Sequence, residues 1–198
     1  MKQITFKQYR SIDLVMLCVL TAVFEGIVTF ATSEWFALQA MSVSITLAMT
    51  CIAMLRWNTF AVLPAIVGSL AFCVSSNATL QQYLIYCVGN IACLIAVPIV
   101  QRIDKEKIRL RFLRRTSFAI IVYLCMALGK WIVSLLFEIT ISSLIAFVAT
   151  DILSLLFAVL VLYICKGLDG VIEDQKAYLI RLDEERKAEQ EAFFGDQF

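Results

Sequence analysis

Histidine is absent from this chain of 198 residues. Its absence removes serine–histidine dyads, histidine-based phosphatases, histidine-ligated zinc proteases and bis-histidine haem from consideration. The seven glycines build neither a P-loop nor a glycine-rich dinucleotide fingerprint. The pair Asp169-Gly170 lacks the downstream Gly and Asp spacing that a metal-binding phosphotransferase motif needs. Seven cysteines are present, Cys18, Cys51, Cys73, Cys87, Cys93, Cys125 and Cys165, but none form a CxxC pair. All lie in apolar runs, where a thiol serves as a small apolar side chain that lets helices approach. Nothing in this inventory points to an enzyme, a metal site or a bound cofactor.

Long hydrophobic runs are what the chain does have. Hydrophobic residues make up 61% of it and the mean hydropathy is +0.86, more apolar than a soluble domain with a polar surface. The expected fold is all-α and membrane-embedded. At about 20 residues per crossing of ~30 Å of hydrocarbon, six spans fit, near Ile12–Ala31, Trp35–Leu55, Thr59–Ser75, Leu80–Val100, Ser117–Phe137 and Ser142–Cys165. Residues 1–166 form this bundle and residues 167–198 a charged tail helix. The first run follows a basic segment as a signal peptide would, yet it is long, contains Glu25 and ends in no convincing cleavage site, so it reads as a retained span. Pro64 and Pro98 fall inside spans, where a proline kinks a helix.

Charge sets the orientation. Arg102, Lys105, Lys107, Arg109, Arg111, Arg114 and Arg115 crowd one short loop between apolar runs, and basic loops stay cytoplasmic. With that loop inside, the N-terminal Lys2, Lys7 and Arg10, the interspan Arg56 and the whole basic tail fall on the same side, sixteen of the seventeen Lys and Arg in all. Both termini are therefore expected in the cytoplasm. An anionic inner leaflet accounts for the basic loop better than nucleic acid does.

Lys130 is the seventeenth, and it sits within an apolar run. At ~1.5 Å per residue it lies ~11 Å from the outer end of its span, with Glu25 at ~10 Å and Asp151 at ~13 Å on two other helices. Charge at one depth on three helices turns inward, since a lipid-facing charge there costs a few kcal/mol. Two arrangements are open: a structural Lys130–Asp151 pair, or a polar pocket open to the outside that uses all three. Ser134 one turn from Lys130, Trp131 beside it, Thr150 before Asp151 and the mid-span Asn90 fit such a pocket, and Glu34 and Trp35 stand at its mouth. Small residues recur every four positions at Cys18, Ala22 and Gly26, at Ala40, Ser44 and Ala48, at Ala61, Ala65, Ser69 and Cys73, and at Ala146, Thr150, Ser154 and Ala158. Such ridges let helices pack closely.

The six-span layout, the short third span from Trp57-Asn58-Thr59 through Pro64, Ala65, Gly68 and Ala71, the Gly89-Asn90 step, the basic loop and the charged tail together resemble the S components of energy-coupling factor (ECF) vitamin transporters. The resemblance is one of layout along the whole chain. It implies a bacterial plasma-membrane subunit that binds a vitamin or similar solute from outside and associates with a transmembrane coupling subunit and two ATPases. It also implies that the first-span face of Cys18, Ala22 and Gly26 meets the coupling subunit, although the family's alanine pair is reduced here to Ala22. The rival expectation is a non-transporting scaffold subunit of a cell-envelope complex. A proton-coupled carrier acting alone is disfavoured, since no inverted repeat is evident.

Overall fold

A computed structural model describes residues 5–35, 42–102, 111–137, 143–168, 171, 174–181 and 184. Every regular element among them is helical: α1 (Phe6–Trp35), α2 (Thr46–Trp57), a 3-10 turn (Asn58–Ala61), α3 (Val62–Ser75), α4 (Leu80–Gly89), a 3-10 stretch (Asn90–Ala96), α5 (Val97–Arg102), α6 (Phe112–Leu135), α7 (Ser143–Thr150) and α8 (Ile152–Cys165). Four stretches, Phe6–Thr32, Thr46–Ser75, Leu80–Arg102 and Phe112–Leu135, are long and apolar enough to cross a membrane. The pair Leu144–Thr150 and Ile152–Cys165, bent by 45°, supplies a fifth.

The stretch Thr46–Ser75 doubles back on itself. Asn58 adopts φ 53°, a left-handed conformation that asparagine tolerates better than most residues, and beyond it α3 returns along α2 until Gly68 lies against Thr46 and Thr21. A side chain at Gly68 would overlap Thr46, so the three-helix contact requires glycine there. α1 and α3 run side by side in the same direction, with Arg10 over the Phe60 ring at one end and Gly26 beside Ser75 at the other. Pro64 falls in the first turn of α3, just after the 3-10 turn, a position near a helix start where proline is tolerated.

The first connection differs from the expected one. Thr32-Ser33-Glu34 reads as an outer loop, but α1 continues through it to Trp35, because the Thr32 hydroxyl donates to the Val28 and Thr29 carbonyls at 2.9 and 3.0 Å and is satisfied within the helix. The second helix accordingly begins at Thr46 and not at Trp35, and residues 42–44 enter it without helical structure. α6 likewise starts at Phe112, ahead of the expected Ser117, and carries Arg115 into a buried position where it donates to the Leu162 carbonyl at 3.4 Å.

Two other helices are interrupted. After Gly89 the chain tightens into a 3-10 stretch that ends at Ala96, and Pro98 follows in the first turn of α5, where the ring removes the amide that would have bonded Leu94. The last span breaks at Asp151. There the Thr150 carbonyl, whose continuing helical partner would be the Ser154 amide, accepts the Ser42 amide at 3.0 Å instead.

Helix contacts give the bundle two unlike ends. At one end Asp13 accepts Arg56 Nε and Nη2 at 2.9 and 2.6 Å and Trp57 Nε1 at 2.5 Å. Arg56 also reaches the Val171 carbonyl, and Tyr9 donates to Gln175 at 3.2 Å. The start of the tail, expected as a charged helix, is therefore packed onto the bundle, with Gln175 buried. Above this clasp Met54, Leu55, Val100, Phe118, Val122 and Leu162 fill the fully buried apolar core. The opposite end holds the polar residues.

Candidate functional site

α6 brings Lys130 to the site through an unusually close approach to α4. A Cβ on Gly129 would strike the Gly89 carbonyl and Ala92, and one on Gly89 would strike the Lys130 backbone, so paired glycines let the two helices touch. That contact sets Lys130 beside Asn90 and Tyr86. The Lys130 ammonium pairs with the Asp151 carboxylate and lies 5.1 Å from the Tyr86 ring centroid, a cation–π distance. Both members of the pair are buried, at 6% and 8% exposure.

Asp151 owes its position to the break between α7 and α8. Its second oxygen accepts the Ser42 hydroxyl at 2.9 Å, while the Ser44 amide donates to Ser154 Oγ at 2.9 Å and Ser154 donates to the Ser42 carbonyl at 3.3 Å. Residues 42–44 thus spend their backbone polar groups on the broken helix, as non-helical backbone at membrane depth must. Across the site Asn90 Nδ2 donates to Ser69 Oγ at 2.5 Å, and Ser69 donates to the Ala65 carbonyl at 2.7 Å. Asn90 Oδ1 is buried with no partner among the described residues.

These groups wall a cavity of about 40 Å3, closed on its apolar side by Leu47, Phe72 and Met126. At ~10–15 Å3 for each water by the same kind of measure, it holds about three. Drug-sized ligands occupy roughly 300–1,000 Å3. As it stands, the cavity admits water-sized guests.

Of the residues expected at a pocket, Asn90, Lys130 and Asp151 line this cavity. Glu25 does not. It is fully buried and its Oε2 accepts the Ile45 amide, the Thr46 amide and the Thr46 hydroxyl, each at 2.8 Å. Ile45 provides no side-chain cap of its own for α2. A carboxylate from α1 therefore caps α2 from outside it, satisfying orphan amides at the positive end of the helix dipole. Ser134 and Thr150 turn their hydroxyls back to the Trp131 and Ala146 carbonyls of their own helices, and Trp131, whose indole N–H is buried without a partner, stands off the cavity wall. Glu34 and Trp35 belong to the last turn of α1, and their side chains lie outside the described part. So does Glu138.

Cys18, Ala22 and Gly26 are half-buried on α1. Gly26 faces Ser75 of α3, so this small face is at least partly spent inside the bundle. Sequence reasoning missed Ser42, Tyr86 and Tyr123 on the cavity wall, and it took Ser44, Ser69 and Ser154 for packing residues alone. One tyrosine within the helix of Lys130 and one in α4, packed against it, were the available signal. Tyr123 donates to the Val148 carbonyl. Comparison with protein-family models, with curated proteins and with solved structures finds no match.

Proposed function

We propose that this chain is a multi-pass protein of the bacterial plasma membrane, with six spans and both termini cytoplasmic, that binds a small solute from the outside. In this reading it is the substrate-specificity subunit of an ECF-type importer and works by binding, while a transmembrane coupling subunit and ATPase subunits supply the energy. The observation that carries the proposal is the buried Lys130–Asp151 pair on the wall of a cavity also lined by Asn90, Tyr86 and Tyr123. A purely structural pair has no need of a polar-lined void beside it, because packed interiors leave few gaps larger than a water. The two tyrosines and the serines add surfaces for an aromatic or hydroxyl-bearing guest.

The orientation is supported by position. Lys7, Arg10, Arg56, Arg102, Arg111, Arg115 and Lys166 all belong to the end that carries the Asp13–Arg56 clasp, so the cavity lies toward the end poor in basic residues. Ser76→Cys and Arg111→Cys in a cysteine-free background test it: a reagent that cannot cross the membrane is expected to label the first in intact cells and spare the second.

A second reading has an observation of its own. Lys130 and Asp151 neutralise each other and the cavity is only water-sized, which suits a membrane scaffold held rigid by a polar core. Equilibrium binding of a panel of labelled vitamins to the purified chain separates the two. The proposal expects at least one ligand, with Lys130→Met weakening it tenfold to several hundredfold, the loss of a charge-assisted hydrogen bond of ~1.5–3 kcal/mol. No binding across the panel, alone or with partner subunits, favours the scaffold.

A further inference from the structure

An open groove of about 330 Å3 runs along the outside of the bundle between α1 and the beginning of α3. Its two ends differ in chemistry. Lys7, Arg10 and Ser11 stand at the end nearest the clasp, and Val15, Cys18 and Leu63 line the part that lies deeper in the bundle. Arg10 lies over the Phe60 ring at 4.4 Å, which fixes its guanidinium at the rim. Neither Lys7 nor Arg10 forms an ion pair among the described residues, in contrast to Arg56, which is held by Asp13.

From Lys7 to Val19 the groove follows α1 for roughly 18 Å at ~1.5 Å per residue. One leaflet of hydrocarbon is roughly 15 Å, half of the ~30 Å core. A slot one leaflet deep, cationic at the headgroup level and apolar below, has the shape and charge of a single amphiphile. We propose that it is a binding site for one anionic phospholipid, its phosphate between Lys7 and Arg10 with the Ser11 hydroxyl in reach, and one acyl chain laid against Val15, Cys18 and Leu63. Basic pockets at the inner membrane face recognise lipid headgroups by the same complementarity. A neutral lipid fills the apolar part but leaves two cations unanswered, and a free phosphate ester answers the cations but leaves the slot empty. The site stands apart from the solute cavity and does not depend on it.

The test uses the full chain in a neutral detergent, titrated with phosphatidylglycerol, with phosphatidylcholine of the same chains and with glycerol 3-phosphate, and bound lipid is counted by native mass spectrometry. One phosphatidylglycerol is expected to bind at least tenfold more tightly than phosphatidylcholine, with no binding of glycerol 3-phosphate. Lys7→Gln with Arg10→Gln is expected to weaken phosphatidylglycerol roughly twenty- to thirtyfold, about fivefold for each cation. Leu63→Trp, at a half-exposed position that tolerates bulk, is expected to obstruct the acyl chain and weaken both lipids while leaving the thermal midpoint within a few degrees. Equal affinity for the two lipids, or binding unchanged by the charge variant, overturns the proposal. Tight glycerol 3-phosphate binding also overturns it, in favour of a simple anion site. If Leu63→Trp spares lipid binding but abolishes association with another membrane protein, the groove holds a helix of that protein and the lipid assignment fails.

Discussion

The end of the bundle with the Asp13–Arg56 clasp and the end with the Lys130–Asp151 pair are built from the same kind of helix and hold together differently. Toward the first, the polar contacts of Asp13, Arg56 and Gln175 sit at the rim, and beneath them Met54, Leu55, Val100, Phe118 and Val122 form an apolar core whose cohesion comes from close packing. Toward the second, Glu25, Thr46, Ser69, Asn90, Lys130 and Asp151 are buried among interrupted helices, and cohesion comes from pairing. Lipid tails are as apolar as leucine, so burial alone gives helices little reason to prefer one another in a bilayer. Packing tolerates any well-fitting replacement, whereas each buried polar group needs its partner or costs several kcal/mol. An interrupted, polar half inside an otherwise regular bundle is thus where a ligand could compete with internal partners.

Substitutions can break this contrast. Lys130→Met alone is expected to be the most damaging of the set, ~3–5 kcal/mol, because it strands a buried carboxylate, and adding Asp151→Leu is expected to restore most of the loss. In the apolar half Leu55→Ala costs ~2–5 kcal/mol through the cavity it leaves, and no distant second substitution recovers it. Chemical or thermal unfolding of both sets measures this difference, and a Leu55 variant rescued as readily as the Lys130 variant would erase the distinction. Glu25→Leu leaves the Ile45 and Thr46 amides without their acceptor and should cost ~0.5–2 kcal/mol, the usual loss when a helix cap is removed, read as lower thermal stability and faster amide exchange at the start of α2. Met54→Leu, a volume-conserving change, should stay under ~1.5 kcal/mol. Ser134→Ala should be the mildest, well under ~1 kcal/mol, since its hydroxyl serves only its own helix.

Regular helices were legible in the sequence, and interruptions were not. Hydropathy located the apolar runs because every helix needs them, and the reversal at Asn58 lies close to the boundary read between Leu55 and Thr59. The break at Asp151 leaves no mark in hydropathy, since it depends on the Ser42 amide taking the Thr150 carbonyl from a segment far away in the chain. For the same reason Thr32-Ser33-Glu34 passed for a loop: the back-bond from the Thr32 hydroxyl is a property of the helix once formed. Depth alone paired Lys130 with Asp151 correctly, but it also enrolled Glu25, whose role is decided by which neighbour it faces. Three charges at one level tell of a polar layer, not of a common site.

The most direct test of the central claim, that the Lys130–Asp151 pair belongs to a solute site, is a thermal-stability cycle. It compares the wild-type chain, Lys130→Met, Asp151→Leu and the double variant, each with and without a vitamin that stabilises the wild type. The account predicts that the double variant regains the stability lost by Lys130→Met but no longer responds to the vitamin. A double variant that regains both the stability and the vitamin response would contradict it and leave the pair as structure alone.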